Sequence, residues 1–176
     1  DIVYGKDGNP KDLSKRFDQL KSKKSSHKLR QTTSIYGTWD DHDYGLNNAG
    51  SDYQHKKRSR ADLFGFLDVP KNNPAYKRNG AYQSYDLSPD VKLILLDNRY
   101  FKSEYAPKAY NDPYPADENG TILGKEQWHW LEQLLLNSTS NIHIIASGIQ
   151  VLSPNHRFEK WLNYPNEYQR FIQLLQ

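Results

Sequence analysis

The chain predicts an α/β fold of the α+β kind. Three observations carry that expectation. Val91-Lys92-Leu93-Ile94-Leu95-Leu96-Asp97 is a nearly continuous apolar run, as expected of a strand buried on both faces. Leu123, Trp128, Leu131, Leu134 and Leu135 form one apolar stripe at helical spacing, and a second apolar run, Ile142 to Ala146, follows it. The strand-like runs open into polar clusters, the usual way for a layered sheet to assemble a site at its edge.

The elements follow in chain order. Asp1-Ile2-Val3-Tyr4-Gly5 reads as the end of a buried strand entering a turn, with no initiating Met. After Gly8-Asn9-Pro10 a helix is expected from Leu13, Phe17, Leu20 and Lys24, then a short helical piece around Ser26 to Gln31. Ser34 to Thr38 is β-branched and aromatic, hence a strand, and Gly45 to Ser51 a loop. A helix is expected from about Asp52 to Leu67, its apolar positions being Ala61, Phe64, Phe66 and Leu67. Val69 to Gly80 is a loop rich in Pro and Asn, and Ala81 to Leu87 alternates like a half-buried strand. Phe101 to Thr121 is a long surface excursion, and such loops are often functional. A last helix from about Asn166 to Leu175 turns Tyr168, Phe171, Ile172 and Leu175 inward, and stops in mid-pattern without a cap. Both ends thus read as those of a piece excised from a longer protein, one incomplete domain over residues 1–176.

Composition excludes several classes. The 176 residues are 36% hydrophobic and 26% charged, with 13% aromatics including thirteen Tyr, so aromatics must help to build the core. With no Cys there is no disulfide, thiolate metal site or cysteine nucleophile. No apolar run approaches the ~18 residues of a membrane span. The net charge is +3 and the pI about 8.9, with basic clusters at Lys21 to Lys28 and His55 to Arg60. Neither is interleaved with aromatics as a nucleic-acid surface would be, so both are expected to be solvated helix faces, with no specific nucleic-acid partner. Neither a phosphate-binding Gly-x-x-x-x-Gly-Lys loop nor a Gly-x-Ser-x-Gly elbow occurs.

The most informative stretch is Thr38-Trp39-Asp40-Asp41-His42-Asp43-Tyr44-Gly45. Three carboxylates around one imidazole repel one another unless a cation neutralises them, and Asp oxygens with a neutral imidazole suit hard and borderline metals. A plain polar turn is the alternative. Asp1 with Tyr4, Asp97-Asn98-Arg99 and Ser147 to Gln150 are further polar strand ends. Arg99 offers a fork of donors to an anion; the alternative is that Asp97 pairs with Arg99 or a neighbour as a structural ion pair. His27, His55, His129, His143 and His156 stand alone and are expected at the surface or in packing.

These blocks together resemble the PhoD-like alkaline phosphatases of the metallophosphatase superfamily. The resemblance rests on Asp1-x-x-Tyr4-Gly5, on Thr38 through Asn47-Asn48-Ala49-Gly50, and on Leu95 through Phe101. It continues in Leu123-Gly124-x-x-Gln127-Trp128-x-Trp130-Leu131-Glu132, Ile145 through Val151 and Glu159-Lys160-Trp161. It implies part of a four-layer αββα sandwich whose site hydrolyses small phosphate esters with two or more metal ions (Fe, Ca, Mn or Zn). By resemblance, Asp1 bridges two metals, Tyr4 binds a ferric ion and Asp41 is a ligand of the second metal. His42 contacts phosphate or protonates the leaving group, and Asp43 orients His42 by accepting its second ring proton. Arg99 and Asn48 fall to substrate binding; Asp40 and Gln150 support the ligands from outside. The family's first acidic ligand would precede Asp1 and its Gly-Asp-x-His block would follow Gln176, so the isolated piece is expected to bind metal weakly. The resemblance also implies a periplasmic, cell-surface or secreted parent. A non-catalytic carbohydrate- or partner-binding module with a structural metal is the rival reading.

Overall fold

The computed structural model describes residues 1–104, 114–155 and 157–176. Helix α1 (Pro10–Ser22) starts where Asn9 caps it: the Asn9 carboxamide oxygen accepts from the Lys11 and Asp12 N–H groups, and Pro10 fits the first helical position. Its apolar stripe buries Leu13 and Phe17. Helix α2 (Lys24–Thr32) follows. A single helical turn, α3 (Asp41–Tyr44), comes next, then α4 (Lys56–Phe66). Strands β1 (Gln83–Ser88) and β2 (Val91–Leu95) form an antiparallel pair, α5 (Gly124–Leu136) crosses over, and β3 (Ile142–Ala146) returns parallel to β2. Helix α6 (Pro165–Leu174) ends the chain. The sheet order β1-β2-β3 and the flanking helices are the mixed α/β (α+β) architecture expected.

Two apolar cores hold these elements. One joins α1 and α4 through Leu13, Phe17, Leu63, Phe64 and Phe66, with Trp39, Tyr44 and Tyr53 beside them. The other packs α5 and α6 on one side of the sheet through Ile94, Leu96, Trp128, Leu131, Trp161 and Phe171. The aromatics supply much of both cores: the Trp161 and Phe171 rings stack at 4.6 Å, and Trp128 meets each edge-on at 6.4 Å. Glu167 of α6 ties the second core to the start of α5. Its carboxylate accepts from the Thr121 hydroxyl, the Ile122 and Leu123 N–H groups and the Trp128 indole.

Several expectations need correction. Residues 34–38 form no strand and join no ladder among the described residues. Thr38 instead donates from its hydroxyl to the Leu96 carbonyl, and Tyr36 rests on Tyr85. Residues 1–4 are not a strand either; the Ile2 N–H is held by the Asp43 carboxylate. Helix α4 begins at Lys56 because residues 50–55 are occupied by turns, and it buries Leu63 while Ala61 is exposed. β2 is fully buried only at Ile94 and Leu95. The register aligns Ile94 with Ile145 toward the helices and Leu93 with Ile144 on the other face, where Ile142 and Ile144 are exposed. In α6 it is Leu174 that packs inward, and Leu175 is exposed. Of the expected excursion, residues 105–113 lie outside the described residues, as does His156. No helix among the described residues is long and apolar enough to cross a membrane.

A candidate metal and phosphate site

The acidic stretch forms a capped turn. Asp40 and Asp43 make a reciprocal capping box on α3, with the Asp40 N–H donating to Asp43 at 2.6 Å. The second Asp43 oxygen accepts the Ile2 N–H at 2.8 Å and so draws residues 1–4 against the turn. Asp43 is wholly buried, and burial pushes its carboxyl up to about 6 against the opposing pull of the Ile2 and Asp40 N–H groups.

That anchoring places Asp1 beside α3. The His42 backbone N–H donates to Asp41 at 2.9 Å and to Asp1 at 3.2 Å, so one donor bridges two carboxylates. A ligand atom from each of Asp1, Asp41 and His42 falls within 4.8 Å of the others. Carboxylates this close repel, and a cation relieves the repulsion. Asp41 is buried and well ordered by its second oxygen, which accepts the Asn48 N–H at 2.8 Å. Asn48 reaches it from a left-handed backbone conformation, φ 57°, which Asn tolerates better than most residues. Tyr4 is exposed and stacks on the His42 ring at 4.4 Å. Oxygen and imidazole donors of this kind fit a hard or borderline cation.

A cavity of about 410 Å³ opens next to Asp41, lined by Asp40, Asn48, Arg99, Gln150 and Glu159 among others. Three polar segments meet there. The Asn98 carboxamide oxygen accepts from Ser147 Oγ and Gly148 N, both at 2.8 Å, joining the ends of β2 and β3. Gly148 has no room for a side chain: a Cβ would lie 2.5 Å from the Trp39 carbonyl oxygen. Asp97 is buried and gathers the Trp39 indole N–H at 2.7 Å with the N–H groups of Ala81, Arg99 and Tyr100. Gln127 of α5 clamps the Asp97 backbone from both sides, at 2.8 and 2.7 Å.

The structure therefore brings Asp1, Tyr4, Asp40, Asp41, His42, Asn48, Arg99 and Gln150 to one edge, with Gln150 exposed at the rim. Two expectations change. Asp43 makes no hydrogen bond to the His42 ring among the described residues, because its oxygens face Ile2 and Asp40; Tyr4 flanks that ring instead. Arg99 does not pair with the Asp97 side chain, which takes only its backbone N–H. Its guanidinium bonds Asp40 through Nε at 2.9 Å and through Nη2, and its Nη1 lies 2.6 Å from Glu159. Glu159 and Lys102 were not expected here. Both are buried and paired at 3.0 Å, and a charged side chain gives no sequence signal that it will be buried. His27, His55, His129 and His143 lie outside the cluster; His143 meets Ser138 at 2.8 Å and His55 packs edge-on against Tyr53.

The comparisons agree with this architecture. The sequence model described as PhoD-like phosphatase matches residues 9–170. Alkaline phosphatase D of Bacillus subtilis (strain 168) is 28% identical, over 78% of this chain and 27% of its own length. A solved structure titled "Structure of PhoD" superposes with a TM-score of 0.72 at 22% identity, covering 99% of this chain and 41% of that one. The chain thus spans about a quarter of the curated relative's length. With the family model matched over nearly its whole length and the fold shared, the chain belongs to the PhoD-like phosphatase family.

Proposed function

We propose that the protein containing this chain is a metal-dependent phosphoesterase, an alkaline phosphatase or phosphodiesterase acting on small phosphate esters. The observation that carries the reading is the convergence of Asp1, Asp41 and His42 within 4.8 Å beside a polar cavity of about 410 Å³. Asp1, Asp41 and Tyr4 would hold one or more of the family's ions (Fe, Ca, Mn or Zn). When bound, such ions withdraw charge from phosphoryl oxygens and lower the pKa of water.

This chain's residues do the rest. Asp41 presents an ordered carboxylate, because the His42 and Asn48 N–H groups fix its two oxygens. His42 holds a ring at the site edge, flat against Tyr4, from which Nδ1 or Nε2 can give a proton to a departing alkoxide. Asn48 and Arg99 line the wall where an ester would lie, while Asp40 and Gln150 border it. A periplasmic, cell-surface or secreted parent is part of the same proposal.

The test is hydrolysis of para-nitrophenyl phosphate and its bis-ester by the full-length parent loaded with Fe, Ca or Mn, beside His42→Ala. Turnover that collapses in the variant supports the reading, and the preferred ester separates mono- from diesterase action. A folded parent with no turnover on either ester contradicts it.

A further inference from the structure

The described side chains that line the cavity carry three carboxylates (Asp40, Asp41 and Glu159) against one cation, Arg99. A wall with that balance attracts cations and repels a phosphate. Arg99 is the group able to bind an anion, and its reach is controlled from two sides. Nε and Nη2 are committed to Asp40. Nη1 faces Glu159 Oε2 at 2.6 Å, close enough to pair yet outside hydrogen-bond geometry, so charge alone holds it. Glu159 also pairs with Lys102, and all three side chains are at least nine-tenths buried, where little water weakens the attraction.

We propose that Glu159 is a positioning residue that engages Arg99 Nη1 at the cavity wall, so that it does not reach an anion, and keeps the site selective for cations over free phosphate. The proposal rests on the phosphoesterase reading and deepens it: Glu159 sets the balance between holding the metal and releasing the anionic product. Removing its charge while keeping its shape shifts the wall one unit toward positive and frees Nη1. The two ligand classes must then respond in opposite directions. A merely structural Glu159 would weaken both together.

Isothermal titration calorimetry of the full-length parent tests this, with Mn²⁺ and inorganic phosphate titrated separately. Glu159→Gln is expected to bind phosphate more tightly and Mn²⁺ more weakly, each by on the order of a hundredfold, as one charge acting on a doubly charged ion at roughly 10 Å and an effective dielectric near 20 implies. Lys102→Met is the mirror variant. It leaves Glu159 to Arg99 alone, so phosphate should weaken and Mn²⁺ tighten, and it decides the matter if Glu159→Gln fails to fold. Opposite shifts support the proposal. Parallel weakening, or no change in variants of a parent that binds both ions, overturns it and leaves the phosphoesterase reading standing. A wild-type parent that binds neither ion refutes that reading and the proposal with it.

Discussion

Gly148→Ala should damage the site far more than its size suggests. The added Cβ would lie 2.5 Å from the Trp39 carbonyl oxygen and 3.4 Å from the Asp40 Cα. Ordinary contact there needs more than 3 Å, so the backbone of residues 147–150 and that of 39–40 must separate by several tenths of an ångström or more. Neither side yields easily. Trp39 is wholly buried with its indole N–H bonded to Asp97, and the Gly148 N–H is bonded to Asn98 at 2.8 Å. Overpacking of this kind costs about 1–3 kcal/mol. Separation also pulls Asp40 and α3 away from the Asn98 edge, and a displacement near 1 Å at a site can cost on the order of a hundredfold in rate. Gly65→Ala is the control. Nothing lies within 4 Å of its Cβ in the interior of α4, so it should stabilise by roughly 0.5–1 kcal/mol through helix propensity. Urea midpoints and kcat/KM on para-nitrophenyl phosphate for both variants are the assay. A Gly148→Ala variant equal to wild type in both would refute the close approach as the device that joins the end of β3 to residues 39–40.

Other perturbations have equally definite signs. His42→Ala should lower kcat about 10²–10⁴-fold while moving stability by less than about 1 kcal/mol, since the ring lies at the edge and packs mainly on Tyr4; parallel kinetics and thermal melts check this. Asp43 titrates near 6 in the folded chain, above its ordinary 3.8, so its stabilising share is fully present below about pH 4 and is lost as pH rises through 6. Metal-free wild type should therefore lose up to about 3 kcal/mol between those limits relative to Asp43→Asn, read from urea midpoints at each pH. Asn48→Ala should cost about 1 kcal/mol through its left-handed backbone, with Asn48→Gly recovering that part, in the same unfolding assay. Glu167→Gln replaces a carboxylate that takes four donors and should destabilise by about 2–3 kcal/mol, measured by thermal unfolding.

The sequence made α1 and α5 readable because each buries one stripe at helical spacing, and because Asn9-Pro10 marks the start of α1. It also indicated that residues 40–43, 97–99 and 147–150 would converge. Their partners were another matter. Arg99 finds Asp40 across 59 residues of chain, and Asp43 finds Ile2 across 41, distances over which no local pattern operates. The α3 turn was missed because four residues cannot show a period; the Asp40-x-x-Asp43 spacing of a capping box was the available signal. Residues 34–38 have the composition of a strand, but composition does not reveal that Thr38 and Tyr36 are held by side-chain contacts to Leu96 and Tyr85 and not by a ladder. Assigning Asp43 to the His42 ring failed for a similar reason: the nearer backbone donors claim its oxygens.

Metal binding at Asp1, Asp41 and His42 is checked by the metal content of the full-length parent after exhaustive dialysis, compared with Asp41→Ala and read beside a thermal melt. Bound metal is expected in the wild type, with loss of at least one ion in a variant that still folds and loss of phosphate-ester turnover with it. Unchanged metal content and turnover in Asp41→Ala would show that the cluster of Asp1, Asp41 and His42 is not the metal centre.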